Sequence, residues 1–162
     1  MFNRDSEFSP LRIAILTVSN SRTISTDTNG LHIQSCLAEQ GHQIIDYAIV
    51  KDDKEMILKY VYEWVCSVDV VVTSGGTGLA KRDVTLEAIK PLFDKEICGF
   101  GELFRLLSYK EIGPRAMGSR TTAGLIHQAL VFCLPGATRS MKLAMEKLVL
   151  PAVSSLMYET KK

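Results

Sequence analysis

The chain has 162 residues, of which 46% are hydrophobic and 23% are charged, and its formal net charge is +1. This length and composition are ordinary for one globular domain with a good core. A near-neutral chain has no broad basic field, so nothing in its composition indicates binding to nucleic acid or to an anionic membrane. Any anion site must therefore be local.

The N-terminal stretch, the lengths of the apolar runs and the cysteines indicate the cellular compartment. The N-terminal stretch MFNRDSEFSP lacks the apolar core of a signal peptide, and no apolar run approaches the ~20 residues that span a bilayer. The four cysteines are far apart and form no CxxC pair, which favours reduced thiols over a disulfide scaffold. We expect a cytoplasmic protein without a membrane segment, in which residues 1–10 are a flexible N-terminal segment and residues 11–162 form a single domain.

Short apolar runs alternate with helical patterns along the chain. Strands are predicted at 11–18, 42–50, 69–74, 121–128 and 129–136, the last two as a hairpin. Helices are predicted at 31–40, 54–65, 85–93, 101–112 and 137–150, the last of them ended by Pro151. This alternation predicts a doubly wound α/β fold with a mainly parallel sheet, in which ligands bind beyond the carboxyl ends of the strands. Two loops follow such ends, SNSRT after the first strand and SGGTG after the third.

The SGGTG loop, residues 74–78, interrupts a strongly β-forming run with glycines. It is not a Walker P-loop, and it fails the dinucleotide fingerprint, which disfavours a dinucleotide-dependent oxidoreductase. Two interpretations remain. The loop is a tight strand-to-helix turn, or its bare backbone N–H groups form an anion site.

Carboxylates lie close to both loops. Asp83 follows the glycine loop, where it could hold a magnesium ion beside a phosphate or cap the next helix. Asp52 and Asp53 follow the second strand. With Glu55, Asp52 resembles the start of a capping box, so we assign the helix cap to Asp52 and expect Asp53 to be the freer carboxylate and a second metal ligand.

Three later stretches offer further candidates, each with a plain structural alternative. The aromatic residues of GFGELFR, residues 99–105, could pack on a heterocycle or belong to the core. The hydroxyls and arginine of SRTTAG, residues 119–124, could bind an anion or lie on an exposed strand edge. LPGAT, residues 134–138, could bind an anion at a helix start or form an ordinary turn.

Taken in order, TVSNSRT, IIDYAIVKDD, TSGGTGLAKRDVT, GFGELFR, SRTTAG and LPGAT resemble the molybdenum cofactor biosynthesis protein B family and the related molybdopterin adenylyltransferases. The resemblance implies a three-layer α/β sandwich with helices on both faces, assembled as a homo-oligomer (trimer or hexamer). It also implies transfer of AMP from ATP to the terminal phosphate of molybdopterin, with magnesium required and pyrophosphate released. The alternative is a non-catalytic protein of the same fold that binds molybdopterin or a precursor.

The resemblance also implies roles for particular residues. Asp53 and Asp83 match the acidic pair of the family, as catalytic residues and magnesium ligands. Arg22 and Arg82 would neutralise phosphate charge, and the glycines would clear space for a phosphorylated pterin. Asn20 departs from the family pattern, in which many relatives carry Asp, and this could alter ligand preference. Substrate binding is implied for seven residues: Ser19, Ser21, Gly75, Gly76, Thr77, Gly78 and Ser119.

Overall fold

A six-stranded sheet lies at the centre of the protein, in a computed structural model that describes residues 9–162. The N-terminal segment predicted at residues 1–10 lies mostly outside the described part of the chain, which begins at residue 9. The spatial order is β2-β1-β3-β6-β5-β4, and within residues 9–162 β5 runs in the opposite direction to the other five strands. The strands are β1 (Arg12–Val18), β2 (Gln43–Val50), β3 (Val70–Ser74), β4 (Lys95–Glu96), β5 (Thr122–Ile126) and β6 (Ala129–Leu134).

Helices cover both faces of this sheet. They are α1 (Thr28–Glu39), α2 (Lys54–Trp64), α3 (Thr85–Ile89), α4 (Cys98–Ile112), α5 (Thr138–Ala144) and α6 (Leu150–Thr160). Alternate side chains of the central strands point to opposite faces, so Ile15 and Val72 pack with α1, α4, α5 and α6, whereas Leu16 and Val71 pack with α2 and α3. The predicted three-layer α/β fold and the β5–β6 hairpin are confirmed.

The C-terminal helix differs from its prediction. The sequence predicted an end at Pro151, but α5 continues through a π-helical turn at Met145–Val149 into α6, which reaches Thr160. Pro151 lies just beyond this wider turn, which interrupts the regular α-helical hydrogen bonding where the proline has no N–H to donate. No helix within residues 9–162 is long and apolar enough to cross a membrane.

The connections that leave β1 and β3 run in opposite directions along the sheet. From β1 the chain passes through α1 to β2 on one side, and α2 then returns it to β3 on the other side of β1. The loops that leave the carboxyl ends of β1 and β3 thus separate, which opens a crevice of the kind that α/β proteins use for ligands.

Candidate functional site

A cleft of 290 Å³ occupies this crevice. It brings together the loops after β1 and β3, with contributions from the ends of β2 and β6. Seven of the eleven predicted site residues line it: Ser19, Ser21, Arg22, Gly75, Gly76, Arg82 and Asp83.

A second pocket of 360 Å³ adjoins the cleft and shares Gly76, Asp83 and Gly136 with it. Three more predicted residues lie in this pocket rather than in the cleft: Thr77, Gly78 and Ser119. The wall opposite the glycine loop comes mainly from α4 and the turn that follows it, and includes Phe104, Ser108, Ile112 and Arg115. The glycine loop thus separates two cavities that meet at Asp83.

The glycines of this loop are required by the packing of the chain itself. Gly75 and Gly76 have positive φ angles of 101° and 67°. A Cβ on Gly75 would lie 2.2 Å from the Val18 carbonyl oxygen, and one on Gly76 would lie 2.2 Å from Thr85 Oγ1. At these two positions, the turn and its close contacts are by themselves sufficient to require glycine.

Three consecutive amides of the loop remain available for a ligand. Within residues 9–162, no hydrogen-bond acceptor contacts the N–H groups of Gly76, Thr77 and Gly78, whereas the Gly75 N–H donates to the Leu134 carbonyl oxygen at 3.1 Å. Thr77 is buried and its two neighbours are half-buried. Partly buried N–H groups without an acceptor favour an anion at this position.

The start of α2 places the helix cap on the second of two neighbouring aspartates, and not on the first. Asp53 is the N-cap: its Oδ1 accepts a hydrogen bond from the Met56 N–H at 3.0 Å, and its side chain is exposed. Asp52 is half-buried and lines the cleft, and its N–H donates to Asn20 Oδ1 at 2.9 Å. The assignment of the cap to Asp52 was wrong, because the helix begins at Lys54 and its N-cap position is therefore residue 53. Asp53 is not among the described residues that line either cavity.

Like charges meet in the cleft. Burial raises the pKa of the Asp52 carboxyl, the negative charge of Asp83 raises it further, and Arg82 opposes both effects. Two close carboxylates favour a bound cation. Magnesium commonly takes one or two protein carboxylates and completes its shell with water and substrate phosphates, so this donor pair fits it. No cluster of three or more His, Cys, Asp or Glu residues placed to hold a metal occurs within residues 9–162, so the protein offers no complete metal cage there.

Comparison with known proteins identifies the family. Residues 14–155 match the family model described as "Probable molybdopterin binding domain". The chain belongs to this molybdopterin-binding family. The predicted resemblance to the protein B family is confirmed, since a relative from Staphylococcus carnosus named "Molybdenum cofactor biosynthesis protein B" is 49% identical over 156 residues, which cover 94% of this chain and 92% of the relative.

Solved structures of the molybdopterin-binding family agree with the fold. The crystal structure of a protein called "Molybdenum cofactor biosynthesis protein B" has a TM-score of 0.90 and 47% identity, and covers 94% of this chain and 97% of its own. The "tungsten cofactor synthesizing protein MoaB from Pyrococcus furiosus" has a TM-score of 0.87 and 36% identity, with coverage of 94% and 98%. Residues 14–155, which match the family model, include the lining of both cavities.

In this member of the family, several polar residues shape the cleft without having been predicted. Asp27 is buried, accepts from the Gly30 N–H at 3.0 Å as the N-cap of α1, and also accepts from the Tyr47 hydroxyl. Asn29 donates from Nδ2 to the Gly136 carbonyl oxygen at 2.7 Å, and its Oδ1 accepts from the Thr138 hydroxyl at 2.8 Å. The DTNG sequence, residues 27–30, could have predicted this helix start, because Asp is a favoured N-cap.

Hydrogen bonds within the loop after β1 stabilise its conformation. Ser19 Oγ accepts from the N–H groups of Ser21 at 3.2 Å and of Arg22 at 3.1 Å. The Arg22 guanidinium donates to the Thr26 carbonyl oxygen at 2.9 Å. Ser19 and Arg22 therefore have structural partners as well as positions in the cleft, and these contacts present the loop to a ligand in one conformation.

Proposed function

We propose that the protein acts in molybdenum cofactor biosynthesis by transferring AMP from ATP to the terminal phosphate of molybdopterin, with release of pyrophosphate. The observation that carries this proposal is the pair of adjoining cavities that share Gly76, Asp83 and Gly136. A reaction between two bound substrates needs two sites with a common boundary, at which the reacting groups meet.

The lining of each cavity suits one of the two substrates. In the cleft, the carboxylates of Asp52 and Asp83 and two arginines lie beside the open amide of Gly76, as a triphosphate with its cation requires. In the neighbouring pocket, the exposed Ile112 provides apolar surface, and Ser108 and Ser119 provide hydroxyls, as a pterin requires, whereas Phe104 is 1% exposed and belongs to the core. The α-phosphate of ATP and the terminal phosphate of molybdopterin would then meet near Asp83.

The protein needs to supply little covalent chemistry for this reaction. A phosphate monoester is largely ionised at neutral pH, since its second pKa is about 6, so the attacking oxygen needs no general base. Positioning and neutralisation of negative charge dominate such transfers. Magnesium held by Asp52 and Asp83 would supply charge neutralisation at the transferred group. Arg22 and Arg82 would add positive charge at the cleft.

A direct assay tests the proposal. Purified protein is mixed with molybdopterin, ATP and magnesium, and adenylated molybdopterin and pyrophosphate are measured by chromatography and mass spectrometry. We expect product from the parent protein, and a loss of turnover of about 10²- to 10³-fold in Asp83→Asn with molybdopterin still bound. Unchanged turnover in that variant would defeat the role of Asp83.

The same assay decides the alternative function. If the parent protein retains molybdopterin but forms no adenylated product, it is a non-catalytic molybdopterin-binding protein. If it retains neither molybdopterin nor ATP, the assignment of both cavities is wrong.

We also propose a homo-oligomer, trimer or hexamer. Large apolar side chains are exposed along α4, where Leu103, Leu106 and Tyr109 are 51%, 55% and 58% exposed. Clustered exposed apolar groups of this size usually indicate an interface. Light scattering coupled to size-exclusion chromatography measures the mass, and a mass near 18.0 kDa would mean a monomer.

A further inference from the structure

One guanidinium contacts both ends of the segment that carries Asp83. Arg120 Nε donates to the Thr77 carbonyl oxygen at 3.1 Å, and its Nη2 lies 3.5 Å from the Asp83 carbonyl oxygen. The same group forms an ion pair with Glu87 of α3. Arg120 thus connects the glycine loop to the helix that follows it, across more than thirty positions of sequence.

The contact with Thr77 belongs to a series of three. The Gly75 carbonyl oxygen accepts from the Thr85 hydroxyl at 2.8 Å, and the Gly76 carbonyl oxygen accepts from the Thr85 N–H at 3.0 Å. The Thr77 carbonyl oxygen accepts from Arg120. Three successive peptide units are therefore each held by their carbonyl group.

Holding a carbonyl also fixes the N–H of the same peptide unit. No cis peptide bond occurs within residues 9–162, and in a trans peptide the C=O and N–H point in opposite directions. The three held carbonyls therefore turn the N–H groups of Gly76, Thr77 and Gly78 away from Thr85 and Arg120. These are the same three amides that have no acceptor among the described residues. Arg120 determines the direction of the last one, that of Gly78.

The charge of Arg120 is already compensated. Its hydrogen bond lowers the pKa of the Glu87 carboxyl, which keeps that group ionised beside the guanidinium. A paired guanidinium attracts a phosphate less than a free one does. The contacts of Arg120 therefore favour a role through the loop over the direct anion contact considered for SRTTAG.

We propose that Arg120 is a positioning residue of the glycine loop. By holding the Thr77 carbonyl it directs the Gly78 N–H toward a phosphate group, and it fixes the backbone that carries the Asp83 carboxylate. The identity of that phosphate rests on the proposed function, but the ordering of the loop does not. A lysine can replace the charge beside Glu87, but it cannot reproduce the planar fork that serves two carbonyls and a carboxylate at once.

Lysine and methionine variants at two arginines test the proposal. Arg120→Lys and Arg120→Met are compared with Arg139→Lys and Arg139→Met, because Arg139 also pairs with a glutamate, Glu111 at 3.1 Å, but lines neither cavity among the described residues. Steady-state AMP transfer gives kcat and the KM for each substrate, and thermal unfolding gives Tm. Hydrogen exchange is followed at Ala80, Asp83 and Thr85, whose N–H groups have acceptors within the loop at 2.9 to 3.0 Å.

We expect both Arg120 variants to lower kcat by about 10- to 100-fold with little change in either KM, because both substrates still bind but the loop holds its amides less accurately. Exchange at the three loop amides should accelerate in both. Arg120→Lys should keep a Tm close to that of the parent protein, and the Arg139 variants should match the parent in kcat and loop exchange.

Two results would overturn the inference. Parent-like kcat and exchange in Arg120→Lys would show that only the charge beside Glu87 matters. Unchanged loop exchange in both Arg120 variants would show that Arg120 does not order the loop, whatever happens to activity. A parent protein that forms no adenylated product, together with faster loop exchange in both variants, would instead reject the proposed function and retain the positioning role.

Discussion

The starts of α1 and α2 border the same cleft but use their aspartates differently. At α1 the capping residue, Asp27, itself lines the cleft and is buried beneath the Tyr47 hydroxyl. At α2 the capping residue, Asp53, is exposed, and the preceding residue, Asp52, lines the cleft. At α1, one side chain both caps the helix and lines the cleft. At α2, these two roles belong to two neighbouring residues.

This difference determines which carboxylate can bind a ligand. The Asp27 carboxylate accepts from the Gly30 N–H and from Tyr47, whose pKa is raised by burial and by that hydrogen bond, so the phenol stays protonated as the donor. Within residues 9–162, no hydrogen-bond donor contacts the Asp52 carboxylate. Its lone pairs remain available, and the negative charge of Asp83 disfavours its ionised form. Asp27 therefore stabilises the cleft, whereas Asp52 is the carboxylate free to act in it.

The largest expected effect separates Asp52 from Asp53. Asp52→Asn should lower AMP transfer by about 10²- to 10³-fold, because an amide cannot neutralise a cation as a carboxylate does. Asp53→Asn is the matched control, since asparagine caps helices nearly as well as aspartate, and it should transfer AMP at close to the parent rate. The measurement is the rate of adenylated molybdopterin formation at saturating magnesium. Loss in Asp53→Asn with activity kept in Asp52→Asn would restore the assignment made from the sequence.

The next largest effect compares the two caps themselves. Asp27→Ala should lower the free energy of unfolding by about 3 kcal/mol, because a cap and a buried charge-assisted hydrogen bond are both lost. Asp53→Ala should cost about 1 kcal/mol, which is typical of an exposed cap. Urea denaturation measures both values. Tyr47→Phe removes the hydroxyl alone and should fall between them, and equal losses in the two alanine variants would mean that Tyr47 adds nothing to the cap.

The sequence predicted the sheet well, for a physical reason. The runs at 12–18 and 70–74 are short, β-branched and nearly all apolar, which is what a strand buried on both faces requires. Their alternation with helices fixes where the winding reverses, so the positions of SNSRT and SGGTG at one edge could be predicted as well. The two-residue strand β4 was not predicted, because Lys95 and Glu96 have no strand pattern and depend on their pairing with β5.

The site was harder to predict because its details depend on single residues and distant contacts. Asp52 and Asp53 are chemically identical, so only the backbone at the start of α2 decides which one caps the helix. The contact between Asn29 and Gly136 joins positions 107 residues apart, and no local pattern announces it. Arg120 was noticed as a possible anion ligand, but its hydrogen bonds to the glycine loop appear only once the chain is folded.

The smallest expected effect is the pH dependence of stability at Asp52. Since its pKa is raised in the folded protein, the proton binds more tightly there than in the unfolded chain, and the ionised carboxylate opposes folding at neutral pH. This penalty disappears as the pH falls through the raised folded pKa to the ordinary value of the unfolded chain, so stability from this group increases toward acid. Asp52→Asn should therefore be slightly more stable than the parent at neutral pH, and the two should converge at acid pH.

Asp83→Asn tests how far the Asp83 charge contributes to the raised pKa of Asp52. Removal of that charge should lower the pKa of Asp52 and reduce the destabilisation that the ionised Asp52 carboxylate causes at neutral pH. Urea denaturation across pH, with magnesium removed by a chelator, measures these differences. Added magnesium should then stabilise the parent more than Asp52→Asn, since a ligand that binds only the folded site stabilises it by mass action. A constant difference between parent and Asp52→Asn at every pH would mean that neither burial nor Asp83 raises the pKa of Asp52, and would weaken its place as the free carboxylate of the cleft.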